Sequence, residues 1–244
     1  MVAMRPALVL LHGFTNTGAS WEGVGAAVGE RYRPLAPDIR GHGDASELRP
    51  VSLDAVLHDL ATLTTGDLAL AGYSMGGRLA LHAALALGGQ VQRLILIGAS
   101  PGIEDEAQRA ERRAADERLA DEVQRMTIEE FATRWADTPV LAGQPPDVLQ
   151  DVHADRLRNT PAGLAAALRG LGTGALPSLW SRLGEIDAPV TLIVGERDAK
   201  FRATAERMAR GLRSARVEVV QNAGHAVHLE RPQAVAEIIL RDAG

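Results

Sequence analysis

The sequence predicts an α/β fold in which a mostly parallel sheet has helices on both faces and carries an inserted helical cap. Three observations predict it. Short apolar runs end at glycine-containing turns and lead into helix-compatible stretches of about ten residues, the alternation of a parallel sheet. This alternation stops near residue 100 and resumes near residue 189. The 244 residues, 46% hydrophobic and 23% charged, fit one globular domain and not a disordered chain.

The predicted strands are apolar runs rich in leucine or β-branched residues, each bounded by a turn. In chain order they span Ala7–Leu11, Leu68–Ala71, Arg93–Gly98, Pro189–Gly195 and Arg216–Val220. The predicted helices show the spacing of apolar residues that gives a helix one buried face. They span Leu53–Thr64, Gly77–Leu87, Arg202–Leu212 and Pro232–Asp242.

The middle of the chain is predicted to be a helical cap over residues 101–182, inserted into a core made of residues 1–100 and 183–244. This part is rich in Arg, Glu, Asp and Ala and has no strand pattern. Its predicted helices are Glu104–Arg125, Thr127–Trp135, Pro146–Arg158 and Pro161–Leu171.

Composition excludes several classes of protein. The net charge is −5, so nucleic acid is not expected as a partner. The absence of cysteine rules out disulfides, thiolate zinc sites and cysteine nucleophiles. No apolar run reaches the ~18 residues of a membrane span, and we expect a cytoplasmic protein. Neither a cofactor nor a metal is predicted, the expected partner is a small molecule, and oligomeric state is not predicted.

A serine elbow is the first chemical signal. Gly72-Tyr73-Ser74-Met75-Gly76 matches the pattern G-x-S-x-G, which on a turn from strand to helix exposes the serine hydroxyl above the sheet. The flanking glycines let strand and helix approach closely. The required context, a strand before and a helix after, is present, so Ser74 is predicted to be catalytic.

A serine hydroxyl needs a histidine to accept its proton and an acid to orient that histidine. Asp198 follows the strand that ends at Gly195, and His225 follows the strand that ends at Val220. The order Ser74, Asp198, His225 therefore predicts a catalytic triad. His228 is a backup for the histidine, and Glu196 is the first alternative for the acid.

An oxyanion hole is predicted from the backbone N–H groups of Phe14, in the loop after the first strand, and Met75, directly after the serine. Several aromatic residues lie on the proposed site loops or in the cap, which indicates an aromatic-lined pocket. They are Phe14, Trp21, Tyr73, Trp135 and Phe201. For Trp135, packing within the cap's own core is an equal alternative.

From Leu8 to Leu240 the chain resembles the α/β-hydrolase superfamily. Four segments look more specifically like the family of 2-succinyl-6-hydroxy-2,4-cyclohexadiene-1-carboxylate synthases of menaquinone biosynthesis. They are Gly72–Arg78, Ser100–Arg112 with its Ala107-Gln108-Arg109-Ala110-Glu111-Arg112 run, Gly195–Arg202 with Arg197-Asp198-Ala199-Lys200-Phe201, and Ala223–His225. The chain departs from the family pattern in two places. Its first recognisable strand begins at residue 7, earlier than in larger hydrolases, and the segment after the histidine, Val227-His228-Leu229, is more apolar than the resemblance leads us to expect.

The resemblance implies a carbon–oxygen lyase that removes pyruvate from a cyclohexene polycarboxylate by abstracting a proton next to a carbonyl. By motif position, carboxylate-binding arginines fall on Arg78, Arg112 and Arg158, and Tyr73 and Trp135 line the pocket. From the residues alone, a solvated surface position is the alternative for Arg78, and for Arg112 it is an equal alternative. A serine hydrolase that uses the same triad as a nucleophile stays open, as does a non-enzymatic binding protein, against which an intact triad argues.

Overall fold

The sheet and its helices follow the predicted alternation in a computed structural model, which describes residues 5–63, 66–141 and 143–241. Six strands form the sheet: β1 Ala7–Leu11, β2 Arg33–Leu35, β3 Leu68–Tyr73, β4 Val91–Ile97, β5 Val190–Gly195 and β6 Ala215–Val220. Their order across the sheet is β2-β1-β3-β4-β5-β6, and every neighbouring pair is parallel. The predicted fold class is confirmed.

Ten α-helices lie in the described parts of the chain. Their bounds are α1 Glu22–Val28, α2 Leu53–Leu63, α3 Met75–Leu87, α4 Glu106–Val123, α5 Ile128–Ala136, α6 Pro146–Arg156, α7 Pro161–Leu171, α8 Ala199–Gly211, α9 Val227–Glu230 and α10 Pro232–Arg241. The predicted ends at Thr64 and Asp242 lie outside the described residues. All the predicted helices are present, while α1 and α9 had not been predicted and β2 had no predicted bounds.

Alternate residues of the buried strands face opposite sides of the sheet, so each side has its own core. Val9 and Leu11 of β1 belong to the cluster that packs under α2, α3 and α8. Leu8 and Leu10 belong to the cluster on the other side, under α1 and α10. Both faces of the sheet are therefore covered by helices.

Four helices, α4 to α7, come between β4 and β5. Local signals fix their starts: Asp105 caps α4, a capping box of Thr127 and Glu130 begins α5, and proline opens α6 and α7. These helices bury a cluster of their own around Phe131, Val123 and Leu164. Division of the chain into a core and a cap at residues 101 and 182 stays a prediction.

Candidate active site

Ser74 lies on a sharp turn between β3 and α3, where its backbone adopts the unusual φ of +50°. Such a conformation is strained for a residue with a Cβ and is often retained at functional sites. The flanking glycines are required by space: a Cβ on Gly72 would come within 2.6 Å of the Gly77 nitrogen, and one on Gly76 would overlap the carbonyl of Leu11. The elbow therefore has the geometry that the sequence predicted.

His225 and Asp198 meet Ser74 because all three follow the carboxyl ends of strands in one parallel sheet, β6, β5 and β3. The Nδ1 atom of His225 lies 2.7 Å from Oδ2 of Asp198, and its Nε2 atom lies 3.3 Å from the Ser74 hydroxyl. An ionised carboxylate only accepts hydrogen bonds, so Nδ1 carries the proton and Nε2 is free to accept one from Ser74. Both side chains are buried, whereas Ser74 is partly exposed. This arrangement can move a proton from serine to histidine.

His228 and Glu196, the alternatives for the histidine and the acid of the triad, make other contacts. His228 is buried between the rings of Trp21 and Tyr73, with centroids 4.6 and 4.3 Å away. Burial, together with the neighbouring His225 and His12, lowers the pKa of His228 to about 3. The carboxylate of Glu196 accepts the N–H of Asn222 at 3.0 Å. Neither residue takes the position of His225 or Asp198 beside Ser74.

The loops that carry Asp198 and His225 are fastened to each other by a buried carboxylate. Oε2 of Glu230 accepts the N–H of Gly224 at 2.9 Å and the guanidinium of Arg197 at 2.6 Å. Arg197 immediately precedes Asp198, and Gly224 immediately precedes His225. The network therefore fixes both members of the pair relative to each other, a contact that the sequence pattern alone did not reveal.

A cavity of about 720 Å³ opens onto Ser74 and His225, and we call it the outer cavity. Arg78 lines it and is only 7% exposed, so the solvated-surface alternative is wrong for this residue. Its Nη2 atom makes one long hydrogen bond, 3.4 Å, to the Leu171 carbonyl, and its Nε atom has no partner in the described structure. Burial, and then the positive charge of Arg112, lowers the pKa of Arg78 to about 10.

Arg112 projects from α4 into the same outer cavity. Its Nε atom donates to Oδ1 of Asp116 at 2.7 Å, while about half of the side chain, 49%, stays exposed. Arg78 and Arg112 therefore face one cavity beside the serine, whose lining also includes Lys200, Arg207 and the carboxylates Glu104 and Asp105. With Asp116 counted as the partner of Arg112, four cations meet three carboxylates, a local excess of positive charge in a chain whose net charge is −5.

Aromatic residues form one wall of the outer cavity. Trp135 contacts Phe14 at 5.2 Å and Phe131 at 5.5 Å between ring centroids, so it lines the cavity and also seals the apolar cluster of α4 to α7. Phe201 lies 4.5 Å from the His225 ring. Trp21 does not reach the cavity, because it is buried in the core under α1 and α10. The predicted aromatic lining is present without it.

Behind the serine lies a smaller space of about 70 Å³, which we call the inner chamber. It shares Phe14, Ser74, Trp135 and His225 with the outer cavity. Tyr73 lines it and is buried, which raises the pKa of its hydroxyl, so the phenol stays protonated. The ring of Tyr73 lies 5.2 Å from that of His225.

Arg158 is not brought to either space. It is exposed and lines separate depressions beside Ala19 and Glu22. The arginine that reaches the inner chamber is Arg156, which is 2% exposed, and burial lowers its pKa. The spacing of Val148, Val152 and Arg156 on α6 places all three on one buried helical face, and this periodicity could have identified it.

Two polar residues around Arg156 fasten α6 to the loop after β1. Asp155 accepts the backbone N–H of Thr17 at 2.9 Å and also the Thr17 hydroxyl. The Asn159 amide donates to the carbonyl of Thr15 at 2.9 Å. Arg156 is thereby held against the loop that carries Phe14.

Met75, whose N–H is predicted to belong to the oxyanion hole, is the first residue of α3. The N–H groups at the start of a helix have no partner within that helix, so the Met75 N–H is available to another acceptor.

Within residues 5–63, 66–141 and 143–241, no set of three or more His, Cys, Asp or Glu side chains is arranged to hold a metal ion. None of the helices in these ranges is long and apolar enough to cross a membrane.

Comparison with known proteins places these features in a family. Residues 8–238 match the model of the alpha/beta hydrolase family. A Bacillus subtilis protein provisionally named 2-succinyl-6-hydroxy-2,4-cyclohexadiene-1-carboxylate synthase is 39% identical over 96% of this chain and 88% of its own length. A protein of Salmonella agona with the same synthase name is 35% identical over 95% of this chain and 91% of its own.

Two solved structures give the same picture of the fold. The structure of MenH from S. aureus has a TM-score of 0.93 at 32% identity and covers 98% of this chain and 94% of its own. A thermophilic esterase from Thermogutta terrifontis has a TM-score of 0.85 at 26% identity and covers 98% and 91%.

Proposed function

The chain belongs to the alpha/beta hydrolase family, and we propose that it is a carbon–oxygen lyase of menaquinone (vitamin K2) biosynthesis. The reaction eliminates pyruvate from 2-succinyl-5-enolpyruvyl-6-hydroxy-3-cyclohexene-1-carboxylate and leaves 2-succinyl-6-hydroxy-2,4-cyclohexadiene-1-carboxylate. Relatives that are 35% and 39% identical over nearly the whole chain carry the name of that synthase. We place the reaction in the cytoplasm, as the sequence predicts, and assign residues 101–182 to a cap that covers the site.

The observation that carries the proposal is the pair of arginines in the cavity that also contains the serine and the histidine. Arg78 is buried there with no paired carboxylate among the described residues, and Arg112 faces the same space. A planar guanidinium can bind a carboxylate through two parallel hydrogen bonds. The proposed substrate has three carboxylates, which Arg78, Arg112 and the buried Arg156 would receive; Arg156 replaces Arg158 in this role.

In the proposed reaction Ser74 is a base and not a nucleophile. His225, oriented by Asp198, accepts the proton of Ser74 as the serine oxygen removes the hydrogen from the ring carbon beside the succinyl carbonyl. The electron pair of that C–H bond passes into the conjugated ring system, a second ring double bond forms, and the C–O bond to the enolpyruvyl group breaks. The leaving enolate takes up a proton and becomes pyruvate. Asp198 stabilises the imidazolium that forms in between.

Charge that develops on the succinyl carbonyl oxygen needs fixed donors. The N–H groups of Phe14 and Met75 are proposed to supply them, because preorganised donors stabilise such charge without reorganisation. The protonated hydroxyl of Tyr73 and the ring of Trp135 would line the substrate next to this oxygen. These assignments give every predicted site residue except Arg158 a role in one reaction.

The decisive experiment pairs two substrates on the same proteins. We expect wild type to release pyruvate from the tricarboxylate, and Arg78→Ala to lower kcat/KM by about 10- to 150-fold, since it removes a charge-assisted contact of about 1.5–3 kcal/mol. Arg78→Lys should recover only part of this loss, because a point charge lacks the planar fork. The exposed Arg213, paired with Asp187, gives a matched control in Arg213→Ala, which should behave as wild type.

A serine hydrolase is the alternative, and the structural likeness to the esterase favours it. In that case a small neutral ester would be turned over far better than the tricarboxylate, and none of the arginine variants would matter. That result would exclude the lyase and leave the triad assignment intact.

A further inference from the structure

The inner chamber is small, a few polar side chains reach its largely apolar wall, and the reaction scheme above leaves most of that wall unused. Its volume of about 70 Å³ is roughly half of the ~150 Å³ apolar cavity that takes up benzene. A six-membered ring therefore does not fit, whereas one planar group of a few heavy atoms does. Because the chamber shares Ser74 and His225 with the outer cavity, a group inside it would be attached to a substrate ring that stays outside.

Two buried side chains leave hydrogen-bonding groups in this chamber unsatisfied. Gln144 is 8% exposed, and neither its amide nitrogen nor its amide oxygen has a hydrogen-bond partner in the described residues. The Nε atom of Arg156 also has no hydrogen-bond partner within the part of the chain that the structure describes. Each such group costs about 1–3 kcal/mol when it is buried without a partner, so native proteins rarely leave several together. The chamber is thus complementary to a polar group that the chain itself does not supply.

The backbone around Gln144 is constrained, which restricts where its side chain starts. Gly143 adopts a φ of +79°, and Pro145 and Pro146 follow, the second being the first residue of α6. Proline fixes its own φ and restricts the residue before it. Gln144 and Arg156 therefore approach the chamber from the two ends of α6, one before its first residue and one at its last.

We infer that the inner chamber is a subsite for the terminal carboxylate of one substrate arm, and that Gln144 determines its specificity. Arg156 supplies the positive charge that attracts the carboxylate, and the Gln144 amide donates a hydrogen bond to the same carboxylate. An acidic side chain at position 144 would neutralise the charge of Arg156, whereas the amide leaves it intact. The inference rests on the proposed function for the identity of the ligand. Two arms of the proposed substrate end in a carboxylate, the succinyl arm and the enolpyruvyl arm, and the chemistry at Gln144 is the same for both.

The test measures binding of pyruvate and succinate to the full-length protein by ligand-observed NMR, together with KM for the tricarboxylate. Gln144→Glu keeps the size and places a negative charge in the chamber, so it should weaken binding of the acid that occupies the chamber by about 10-fold or more. Gln144→Leu removes the donor without adding charge and should weaken it by about 3- to 10-fold. Gln150→Glu, exposed on α6, adds the same charge outside the chamber and should leave affinity and KM unchanged.

The acid whose binding depends on Gln144 identifies the arm: pyruvate indicates the enolpyruvyl arm, and succinate the succinyl arm. Uncharged analogues, methyl pyruvate and succinamide, should be insensitive to the substitutions. If folded Gln144→Glu and Gln144→Leu bind both acids like wild type, or if wild type binds neither, the inference is overturned and water fills the chamber. If binding of an acid depends on Gln144 but wild type does not turn over the tricarboxylate, the subsite is supported and the lyase is rejected. If wild type turns over the tricarboxylate and both Gln144 variants keep its KM, the lyase is supported and the subsite is rejected.

Discussion

Gly98 offers a sharp test of how accurately His225 has to be placed. This residue follows β4 with a φ of +53°, and a Cβ added to it would lie 2.8 Å from Cε1 and 2.9 Å from Nδ1 of His225. In Gly98→Ala the imidazole must therefore move by about 0.6 Å to regain an ordinary contact of 3.4 Å. Nδ1 is the atom that faces Asp198, so the displacement acts on the proposed proton relay directly. A misplacement of about 1 Å can cost about 100-fold in rate, and we expect kcat to fall by about 10- to 100-fold.

Gly88 provides the matched control, because it has the same φ of +53° and no atom of the described residues lies within 4 Å of its added Cβ. Both alanine variants should lose about 1–3 kcal/mol of unfolding free energy, because a positive φ strains a residue that carries a Cβ. Only Gly98→Ala should lose activity. Urea unfolding gives the first quantity and steady-state pyruvate release the second. Equal kcat in the two variants would refute the idea that the histidine position limits the reaction.

Three further predictions concern the triad and its support. Ser74→Ala and His225→Ala should each lower kcat by several orders of magnitude, and the double variant should be no slower, because the residues act as a unit. His228 has a folded pKa of about 3, below the ~6.5 of an unfolded histidine, so only the unfolded chain takes up its proton as the pH falls. His228 should thus lower the unfolding free energy by about 1.4 kcal/mol per pH unit as the pH falls from 6 towards 4. Urea unfolding at several pH values measures the slope of unfolding free energy against pH, which should be smaller in His228→Leu. Arg197→Met leaves Glu230 buried without its cation, so it should lower unfolding free energy by about 1–2 kcal/mol, discounted because Arg197 is half exposed, with partial recovery on adding Glu230→Gln.

Much of the fold could be predicted because β1, β3, β4 and β5 each contain a continuous, buried apolar run. The unassigned elements lack that signal: β2 is three residues long, contains Pro34 and lies at the exposed edge of the sheet, so neither periodicity nor burial marks it. The first residue of a helix can also differ from the predicted one. The helix predicted from Arg202 begins at Ala199, because Asp198 caps it by accepting the N–H of Phe201 while its other oxygen faces the histidine.

The triad could be predicted because each member follows a parallel strand, and such strands end at one edge. Residues that reach the site from α6 follow no such rule. Arg156 and Arg158 are two positions apart on one turn, and only the packing of α6 against the loop after β1 decides which of them is buried. The sequence predicts Gly98 only as the end of a strand, since no pattern reveals that a histidine ring 127 positions later fills the space of its missing Cβ.

The energetics of Arg78 connect stability with function. Its charge is buried beside Arg112, its Nε atom has no partner in the described part of the chain, and its pKa falls to about 10. Relative to the usual 12.5 this disfavours the folded state by about 3 kcal/mol at neutral pH, because the unfolded chain keeps its guanidinium hydrated. A substrate carboxylate placed between the two arginines would remove both the repulsion and the unmet hydrogen bonds. Arg78→Met, of similar length and apolar, should therefore raise unfolding free energy by about 1–3 kcal/mol while it lowers kcat/KM for the tricarboxylate at least about 10-fold. Urea unfolding and pyruvate release on the same preparation measure the two effects. If Arg78→Met is instead less stable than wild type, Arg78 stabilises the fold. Its burial beside Arg112 would then not be evidence that it binds a substrate carboxylate.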